Sequence, residues 1–216
     1  MPILDSSSET LVIERRGIPY EDYITWQTKQ IELRTADQVP DTVSVMEFSN
    51  SVYTTPDNNS PKPIDLEEVI LLAKRGGEDT WHGPGQLIIA PVVRLAENYL
   101  IKDFTDCLEG PVRSVLEAYG VVPDEHAEGD FPGVTVGGRK IAQIGLFLDG
   151  RVTSYGLAFN VTCDLANFDA INLCGIENCA VTNLASETSN HVDLNEVFDL
   201  LSAHTAHAFH HEDWLA

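Results

Sequence analysis

Short apolar stretches of strand length recur along much of the chain. Within each stretch, apolar residues alternate with polar ones or run together, which is typical of half-buried or buried strands. Such stretches lie at 10–14, 41–48, 52–54 and 87–93. The segment at 66–73 fits either one or two helical turns or a strand, and its pattern leaves that choice open.

A hairpin is predicted in the second half of the chain. The segments 135–148 and 151–162 read as a turn with its strand and as the returning partner strand. They are joined by Asp149-Gly150, a dipeptide that favours tight turns. Gly145 and Gly156 interrupt these strands, and because glycine weakens a strand, their presence indicates close approach by a ligand.

Three segments carry helical periodicity, with apolar residues recurring every three or four positions. The first two are 20–33 and 97–119, and the third begins after Asp193, whose spacing to Glu196 is that of a capping box. Gly110-Pro111 interrupts the second helix. Because an internal proline removes a backbone hydrogen bond, we expect a kink there or two helices meeting.

The length of the chain, 216 residues, suits one domain with a sizeable core, so we predict a single domain over 1–216. The polar, proline-rich segment 56–63 is predicted to be a surface loop. The last residues, 210–216, are predicted to form a frayed terminus.

No apolar run approaches the length of a membrane span, and the first residues lack a targeting pattern, so a cytoplasmic location is expected.

Acidic residues outnumber basic ones by 34 to 13, which gives a formal charge of −21. This excess argues against nucleic acid or an anionic membrane as a partner. Self-repulsion of such a protein would be screened at molar salt, which suggests a halophilic source. An acidic protein from an ordinary environment remains the alternative.

A glycine-rich stretch, Arg75-Gly-Gly-Glu-Asp-Thr-Trp-His-Gly-Pro-Gly-Gln86, precedes the predicted strand at 87–93. Its glycines indicate a backbone that turns tightly or lies close to a ligand. A glycine loop that leads into a buried strand can line a slot for something thin and apolar. An ordinary surface loop is the alternative interpretation.

Cys174 is the candidate nucleophile, because a cysteine beside glycine in a loop can expose its sulfur near backbone amides. A thiol is only slightly ionised at neutral pH and therefore needs a partner. Lys140 could act as a base or stabilise the thiolate as a cation, and the sequence leaves those roles open. Alternatively, Cys174 is a small buried hydrophobe and Lys140 a solvated surface cation.

The sequence predicts no metal site. The cysteines form no Cys-x-x-Cys pair, which argues against structural zinc. Histidines do crowd the C-terminal helix, at His204, His207, His210 and His211. No carboxylate or cysteine pattern completes a metal site there, so a solvated helix end is the simpler interpretation.

Four blocks occur in a specific order: the stretch 75–86, Val-Gly-Gly-Arg-Lys-Ile-Ala-Gln-Ile-Gly at 136–145, Tyr-Gly-Leu-Ala-Phe-Asn at 155–160 and Ile-Asn-Leu-Cys-Gly-Ile at 171–176. Together they resemble the lipoyl(octanoyl) transferases. The resemblance implies a single α/β (α+β) domain of the biotin/lipoate protein ligase type, with a mixed sheet flanked by helices and a narrow acyl tunnel. It implies no cofactor.

The resemblance also implies roles for residues in these blocks. Cys174 would carry the acyl group as a thioester, and Lys140 would activate it. The substrate-binding residues would be Arg75, Gly76, Gly77, Glu78, Asp79, Thr80, Trp81, His82, Gln143, Ile144, Gly145, Gly156, Leu157 and Ala158.

The resemblance further implies that the protein takes an octanoyl group from acyl carrier protein or another thioester donor. The sequence leaves the oligomeric state open, and a monomer is the default expectation. The acceptors would be lipoyl domains of 2-oxoacid dehydrogenase complexes and the glycine cleavage H protein. Because such partners are themselves acidic, Arg75, Arg139, Lys140 and Arg151 are hypothesised to form a basic rim. An ATP-dependent lipoate ligase and a non-catalytic lipoyl-domain binder remain alternative functions.

Overall fold

The computed structural model describes residues 10–56, 70–77, 79–125, 132–171 and 180–210. Its strands are β1 (Leu11–Ile18), β2 (Thr42–Phe48), β3 (Val52–Pro56), β4 (Ile70–Ala73), β5 (Thr80–His82), β6 (Gln86–Val92), β7 (Gly133–Val136), β8 (Arg139–Asp149) and β9 (Val152–Asn160). Its α-helices are α1 (Tyr20–Thr35), α2 (Ile101–Ala118), α3 (Leu184–Glu187) and α4 (Leu194–His210), and a 3₁₀ turn spans Leu165–Phe168.

The strands form two sheets. The larger has the order β1-β2-β6-β9-β8-β7, and β1 is parallel to β2 whereas the other neighbours are antiparallel. The smaller has the order β4-β3-β5, with β3 parallel to β4 and antiparallel to β5. This mixed architecture with flanking helices confirms the predicted α/β fold class.

Both faces of the larger sheet are covered by helices. Val43 and Val45 of β2 join the main core with the buried faces of α2 and α4. Met46 and Phe48 of the same strand contribute to a second cluster that contains Tyr20 of α1. Because side chains alternate along a strand, the central strands are apolar on both faces, which explains their nearly continuous hydrophobic runs.

The prediction that two helices meet at Gly110-Pro111 is wrong, whereas its alternative, a kink in one helix, stays a prediction. One helix, α2, runs from Ile101 through a buried Pro111 to Ala118. Its apolar face packs into the main core, and tertiary packing of this kind supplies most helical stability in proteins. The helix also begins later than predicted, at Ile101 rather than residue 97.

Other predictions are refined by the fold. The hairpin of β8 and β9 is present, and Gly150 at its turn has φ +62°. Residues 70–73 are a strand, and the rest of the segment 66–73 lies outside the described residues. Pro56, predicted as the start of a surface loop, is a buried residue of β3 that pairs with β4.

Residues 57–63 and 211–216 lie outside the described part of the chain, whereas His210 belongs to α4. Within the described ranges, no helix has both the length and the apolar composition required to cross a bilayer.

Candidate active site

A cavity of about 450 Å³ lies among α1, β5, α2 and the β8–β9 hairpin. Most of the predicted site residues line it. They are Arg75, Gly76, Gly77, Asp79, Thr80, His82, Lys140, Gln143, Ile144, Gly145, Gly156, Leu157 and Ala158. Glu78 and Cys174 lie outside the described residues.

Trp81 is the exception among the predicted residues that the structure describes. Thr80 and His82 line the cavity, whereas Trp81 is buried in a separate cluster and packs edge-to-face on Phe168 at 5.6 Å between ring centroids. Its prediction as a substrate-binding residue is therefore not supported. The physical reason is the two-residue period of a strand, which turns the middle residue of β5 away from its neighbours.

The strand glycines make room for protein atoms and also line the cavity, so close approach by a ligand stays a prediction. Gly145 and Gly156 lie opposite each other on β8 and β9. A Cβ added at Gly145 would lie 3.0 Å from Cδ of Arg75. A Cβ added at Gly156, where φ is +143°, would lie 2.0 Å from the carbonyl oxygen of Ile89. Glycine at both positions therefore permits close packing around the cavity wall.

The loop 75–77 is anchored to both sheets. The buried Arg75 side chain donates hydrogen bonds of 2.9 Å to the carbonyl and to the hydroxyl oxygen of Thr54. The backbone N–H of Gly76 donates to the carbonyl of Leu146 on β8 at 2.9 Å. These bonds hold the glycine loop against the cavity rather than leaving it as an ordinary surface loop.

The hypothesised basic rim is not present. Arg75 and Lys140 line the cavity, but Arg139 forms an ion pair with Glu187. Arg151 lies beyond the far end of β8 and donates to the carbonyl of Leu95 at 3.1 Å. Alternation along β8 separates Arg139 from Lys140, and the length of the hairpin separates Arg151 from both.

Lys140 is buried, with an exposure of 7%, so its interpretation as a solvated surface cation is wrong. Its backbone N–H donates to the carbonyl of Ala180 at 2.8 Å, and its carbonyl accepts from the N–H of Thr182 at 2.9 Å. These two bonds form an isolated parallel bridge to Val181. The cavity lysine is thus joined to the chain segment that directly follows residues 172–179.

A relay of hydrogen bonds determines the tautomer of His82. The carbonyl of Thr182 can only accept, so the side-chain NH₂ of Asn160 donates a hydrogen bond to it at 3.1 Å. The oxygen of Asn160 then accepts from the amide of Gln86 at 2.9 Å. The oxygen of Gln86 must consequently accept from His82 Nδ1, at 2.8 Å, which leaves Nε2 of His82 as an acceptor.

The His82 imidazole is neutral at pH 7. Burial lowers its pKa to about 4, the nearby Arg75 guanidinium acts in the same direction, and the Gln86 hydrogen bond opposes both. The ring also stacks on Tyr20, at 6.1 Å between centroids and 14° between planes. His82 can therefore accept a hydrogen bond in the cavity without carrying a charge.

We predict that His82 makes the protein less stable as the pH falls from 6.5 to 4. The unfolded chain binds the proton near the ordinary pKa of 6.5, whereas the folded protein binds it only near 4. Stability is therefore retained above 6.5 and lost on acidification, by up to about 3 kcal/mol from this group. Urea unfolding across this pH range should give a shallower pH dependence for His82→Gln than for the wild type.

The matched control is His191→Gln, because His191 is exposed. An unchanged pH dependence in His82→Gln would contradict the assignment of a neutral, half-buried imidazole.

Several cavity residues were not predicted as site residues. They are Tyr20, Tyr23, Phe48, Ile88, Ile101, Thr105, Pro132, Leu146 and Tyr155. Most were interpreted only as core positions of helices and strands, because periodicity does not distinguish a cavity wall from a packed interior. Hydrophobic periodicity could have found their buried face but not the space beside it.

Tyr155 carries the clearest local sign of a specialised position. Its φ of +63° is uncommon for a residue other than glycine. Its backbone N–H donates to the side-chain oxygen of the buried Gln27 at 2.7 Å, and its hydroxyl accepts from the N–H of Lys74 at 3.0 Å. Tyr155 thereby connects α1 with the loop that precedes Arg75.

The amino-acid sequence matches a known protein family. The family model of the lipoyl protein ligase A/B catalytic domain matches residues 21–206. An octanoyltransferase of Mycolicibacterium gilvum is 38% identical over 91% of this chain and 84% of its own length. An octanoyltransferase of Corynebacterium efficiens is 31% identical over 94% of this chain and 84% of its own length.

Solved structures share the fold at low sequence identity. A bipartite lipoate protein ligase of Thermoplasma acidophilum has a TM-score of 0.71 at 15% identity, covering 94% of this chain and 84% of that one. The biotin protein ligase of Aquifex aeolicus has a TM-score of 0.53 at 12% identity, covering 93% of this chain and 70% of that one. The family model and the curated relatives together show that this chain belongs to the lipoyl protein ligase A/B family, among the octanoyltransferases, which are acyltransferases.

Proposed function

We propose that the protein transfers an octanoyl group from a carrier-protein thioester, through a thioester on Cys174, to a lysine amine of a lipoyl domain. The donor is acyl carrier protein or another octanoyl thioester. The acceptors are the lipoyl domains of 2-oxoacid dehydrogenase complexes and the glycine cleavage H protein. The supporting observation is a largely apolar cavity whose wall contains a buried lysine, Lys140, joined through its backbone to the segment that follows Cys174.

The first step of the proposed reaction exchanges one thioester for another. The Cys174 thiolate attacks the octanoyl carbonyl, a new carbon–sulfur bond forms, and the bond to the carrier sulfur breaks. The carrier leaves as a thiol after it takes up the proton that Cys174 lost. Lys140 is suited to move that proton or to stabilise the thiolate, because it lines the cavity.

The second step forms the amide product. The acceptor amine attacks the octanoyl–Cys174 carbonyl, a carbon–nitrogen bond forms, and the carbon–sulfur bond breaks. The amine loses one proton and the Cys174 sulfur regains one, so the enzyme returns to its starting state. Aminolysis of a thioester is energetically downhill and draws the reversible first step forward.

The apolar side chains that line the cavity suit a saturated acyl chain. They include Phe48, Ile88, Ile144 and Leu157. Burial of each methylene contributes about 0.8 kcal/mol, so an eight-carbon chain gains substantial binding energy there. Cys163, which precedes Cys174 in the sequence, is unsuited to carry the acyl group. Its burial raises the pKa of its thiol to about 12.

Replacing Cys174 with alanine should abolish octanoyl transfer, because the sulfur that carries the acyl group is removed. The wild-type protein, incubated with octanoyl carrier protein, should gain one octanoyl mass on the peptide that contains Cys174. Hydroxylamine should release that mass, as expected for a thioester. Peptide mapping by mass spectrometry and transfer to an isolated lipoyl domain measure both effects.

The matched control is Cys163→Ala, which should keep the adduct. Full transfer activity in Cys174→Ala would rule out the proposed intermediate, and transfer that requires ATP and free octanoate would instead support a ligase.

We also propose adaptation to high salt. The charge of −21 implies strong self-repulsion, which salt screens because the Debye length falls from about 10 Å at 0.1 M to about 3 Å at 1 M. The midpoint of thermal unfolding should therefore rise as KCl is increased from 0.1 to about 1 M. Choline chloride at matched ionic strength provides the control for specific potassium effects, and a flat or falling midpoint in both salts would contradict the proposal.

A further inference from the structure

A cluster of charged and polar side chains lies beside Lys140, on the outer side of its strand. We name Glu187, Arg139 and Thr182 the Glu187 clamp. The Glu187 carboxylate accepts hydrogen bonds of 3.0 and 2.8 Å from the Arg139 guanidinium. The same carboxylate accepts the hydroxyl of Thr182. One acidic side chain thus joins two chain segments that are distant in sequence.

The Glu187 clamp spans the backbone bridge of Lys140. Arg139 directly precedes Lys140 on β8, and the N–H of Thr182 donates to the carbonyl of Lys140 at 2.9 Å. Because side chains alternate on a strand, Arg139 can reach Glu187 on the outer side while Lys140 lines the cavity. The clamp therefore ties together the two segments whose pairing, along with the pairing to β7, holds the backbone of Lys140.

Lys140 pairs with Thr135 of β7 on one edge of β8, and the other edge is held by the short bridge. The bridge consists of two backbone hydrogen bonds, from Lys140 to Ala180 and from Thr182 to Lys140. Hydrogen bonds between neutral groups are individually weak, whereas hydrogen bonds to charged groups are shorter and stronger. The bidentate bond between Glu187 and Arg139 and the bond from Thr182 are of the stronger kind.

The surroundings hold the Glu187 clamp in place. The Glu187 side chain is only 11% exposed, and the Arg139 side chain is 45% exposed. The Arg139 hydrogen bond, above all, lowers the pKa of Glu187, and Thr182 acts in the same direction, so the carboxylate stays charged at neutral pH. The turn immediately before Arg139 is also held. The carboxylate of Asp124 accepts hydrogen bonds from the backbone N–H groups of Gly137 and Gly138, at 3.0 and 2.8 Å.

We propose that Glu187 is a positioning residue for octanoyl transfer, acting through Arg139 and Thr182 to hold the Lys140 side chain in its reactive place. This inference rests on the proposed function, since it assigns Lys140 a part in the transfer. Displacing a reacting group by about 1 Å can lower a rate about 100-fold, so a small relaxation of the bridge has a large effect.

The test compares Glu187→Gln and Thr182→Val with the wild type. Glutamine keeps the size of the side chain but removes the charge that pairs with Arg139, and valine removes only the hydroxyl of Thr182. We expect kcat for octanoyl transfer to fall about 10- to 100-fold in Glu187→Gln, with KM for the lipoyl domain within about twofold of the wild type. Thr182→Val should show the same pattern with a smaller loss.

The matched control is Asp41→Asn, which breaks another well-buried ion pair, between Asp41, immediately before β2, and Arg34 of α1, away from the described cavity lining. Thermal unfolding of all variants establishes a temperature at which each is folded. At that temperature Asp41→Asn should keep its kcat. An equal loss of kcat in Asp41→Asn and Glu187→Gln would show a merely structural role and overturn the inference.

A double-mutant cycle with Lys140→Met separates positioning from any other effect. If Glu187 acts through Lys140, Glu187→Gln should lower the rate of Cys174 acylation in the wild type but change it little in the Lys140→Met background. Additive losses would overturn the inference. Absence of any octanoyl adduct on wild-type Cys174 would instead overturn the proposed function, so the two failures are distinguishable.

Discussion

Replacing Lys140 with methionine should lower the rate of octanoyl transfer by about 100-fold or more, within the range that general acid–base catalysis contributes. Methionine retains the length and apolar stem of a side chain that is 7% exposed, so the fold should persist. The loss should affect both acylation of Cys174 and transfer to the lipoyl domain, because a proton moves in each. Single-turnover mass spectrometry measures the two steps separately.

Lys29→Met provides the control, because Lys29 is exposed on α1 and pairs with its neighbour Glu32. This variant should keep its activity. The rate at which iodoacetamide alkylates Cys174, followed across pH by peptide mapping, reports whether Lys140 changes the reactivity of the sulfur. Wild-type transfer and alkylation rates in Lys140→Met would remove Lys140 from the mechanism.

Replacing Gly156 with alanine should lower the free energy of unfolding by about 4 kcal/mol or more, which is exceptional for one methyl group. The φ of +143° is disfavoured for any residue with a side chain. The added Cβ would also lie 2.0 Å from the Ile89 carbonyl oxygen and 2.8 Å from Cδ of Pro91. Because Ile89 belongs to a central strand, β6 and β9 must separate locally to admit the methyl group.

Thermal unfolding should show a midpoint reduced by about 10 °C, given the usual relation for chains of this size. Gly150→Ala is the control. Gly150 also has a positive φ, +62°, but a Cβ there meets nothing within 4 Å. Only the backbone strain of about 1 kcal/mol should appear in that variant. Equal destabilisation of the two variants would show that the contact with β6 is not what requires glycine at Gly156.

Hydrophobic periodicity, together with glycines and prolines that mark turns and element ends, predicts most of the fold. The alternation at 41–48 and the hairpin dipeptide Asp149-Gly150 correctly indicate β2 and the β8–β9 turn. The same reasoning fails at Pro111 in allowing two helices to meet, because burial of one helix face outweighs the local propensity to end the helix there. It also fails to identify β5, because three residues are too few for a periodic pattern.

The candidate site is predicted less completely than the fold. The motif blocks identify the segments that meet at the cavity, and most of their described residues line it. They do not separate Thr80 and His82 from Trp81, because this requires knowing which face of β5 is turned inward. Nor do they indicate that Tyr20 of α1 and Thr105 of α2, which lie outside the blocks, complete the wall.

The sequence by itself determines the charge of the protein, the periodicity of its main helices and strands, and which side chains are available for chemistry. These properties depend on residue type and local spacing. The tertiary structure alone decides that Gly145 admits Arg75, that Lys140 pairs with the segment at 180–182 and that His82 is a neutral acceptor. Each of these depends on contacts between residues far apart in the chain, and such contacts follow from strand order and burial rather than from local pattern.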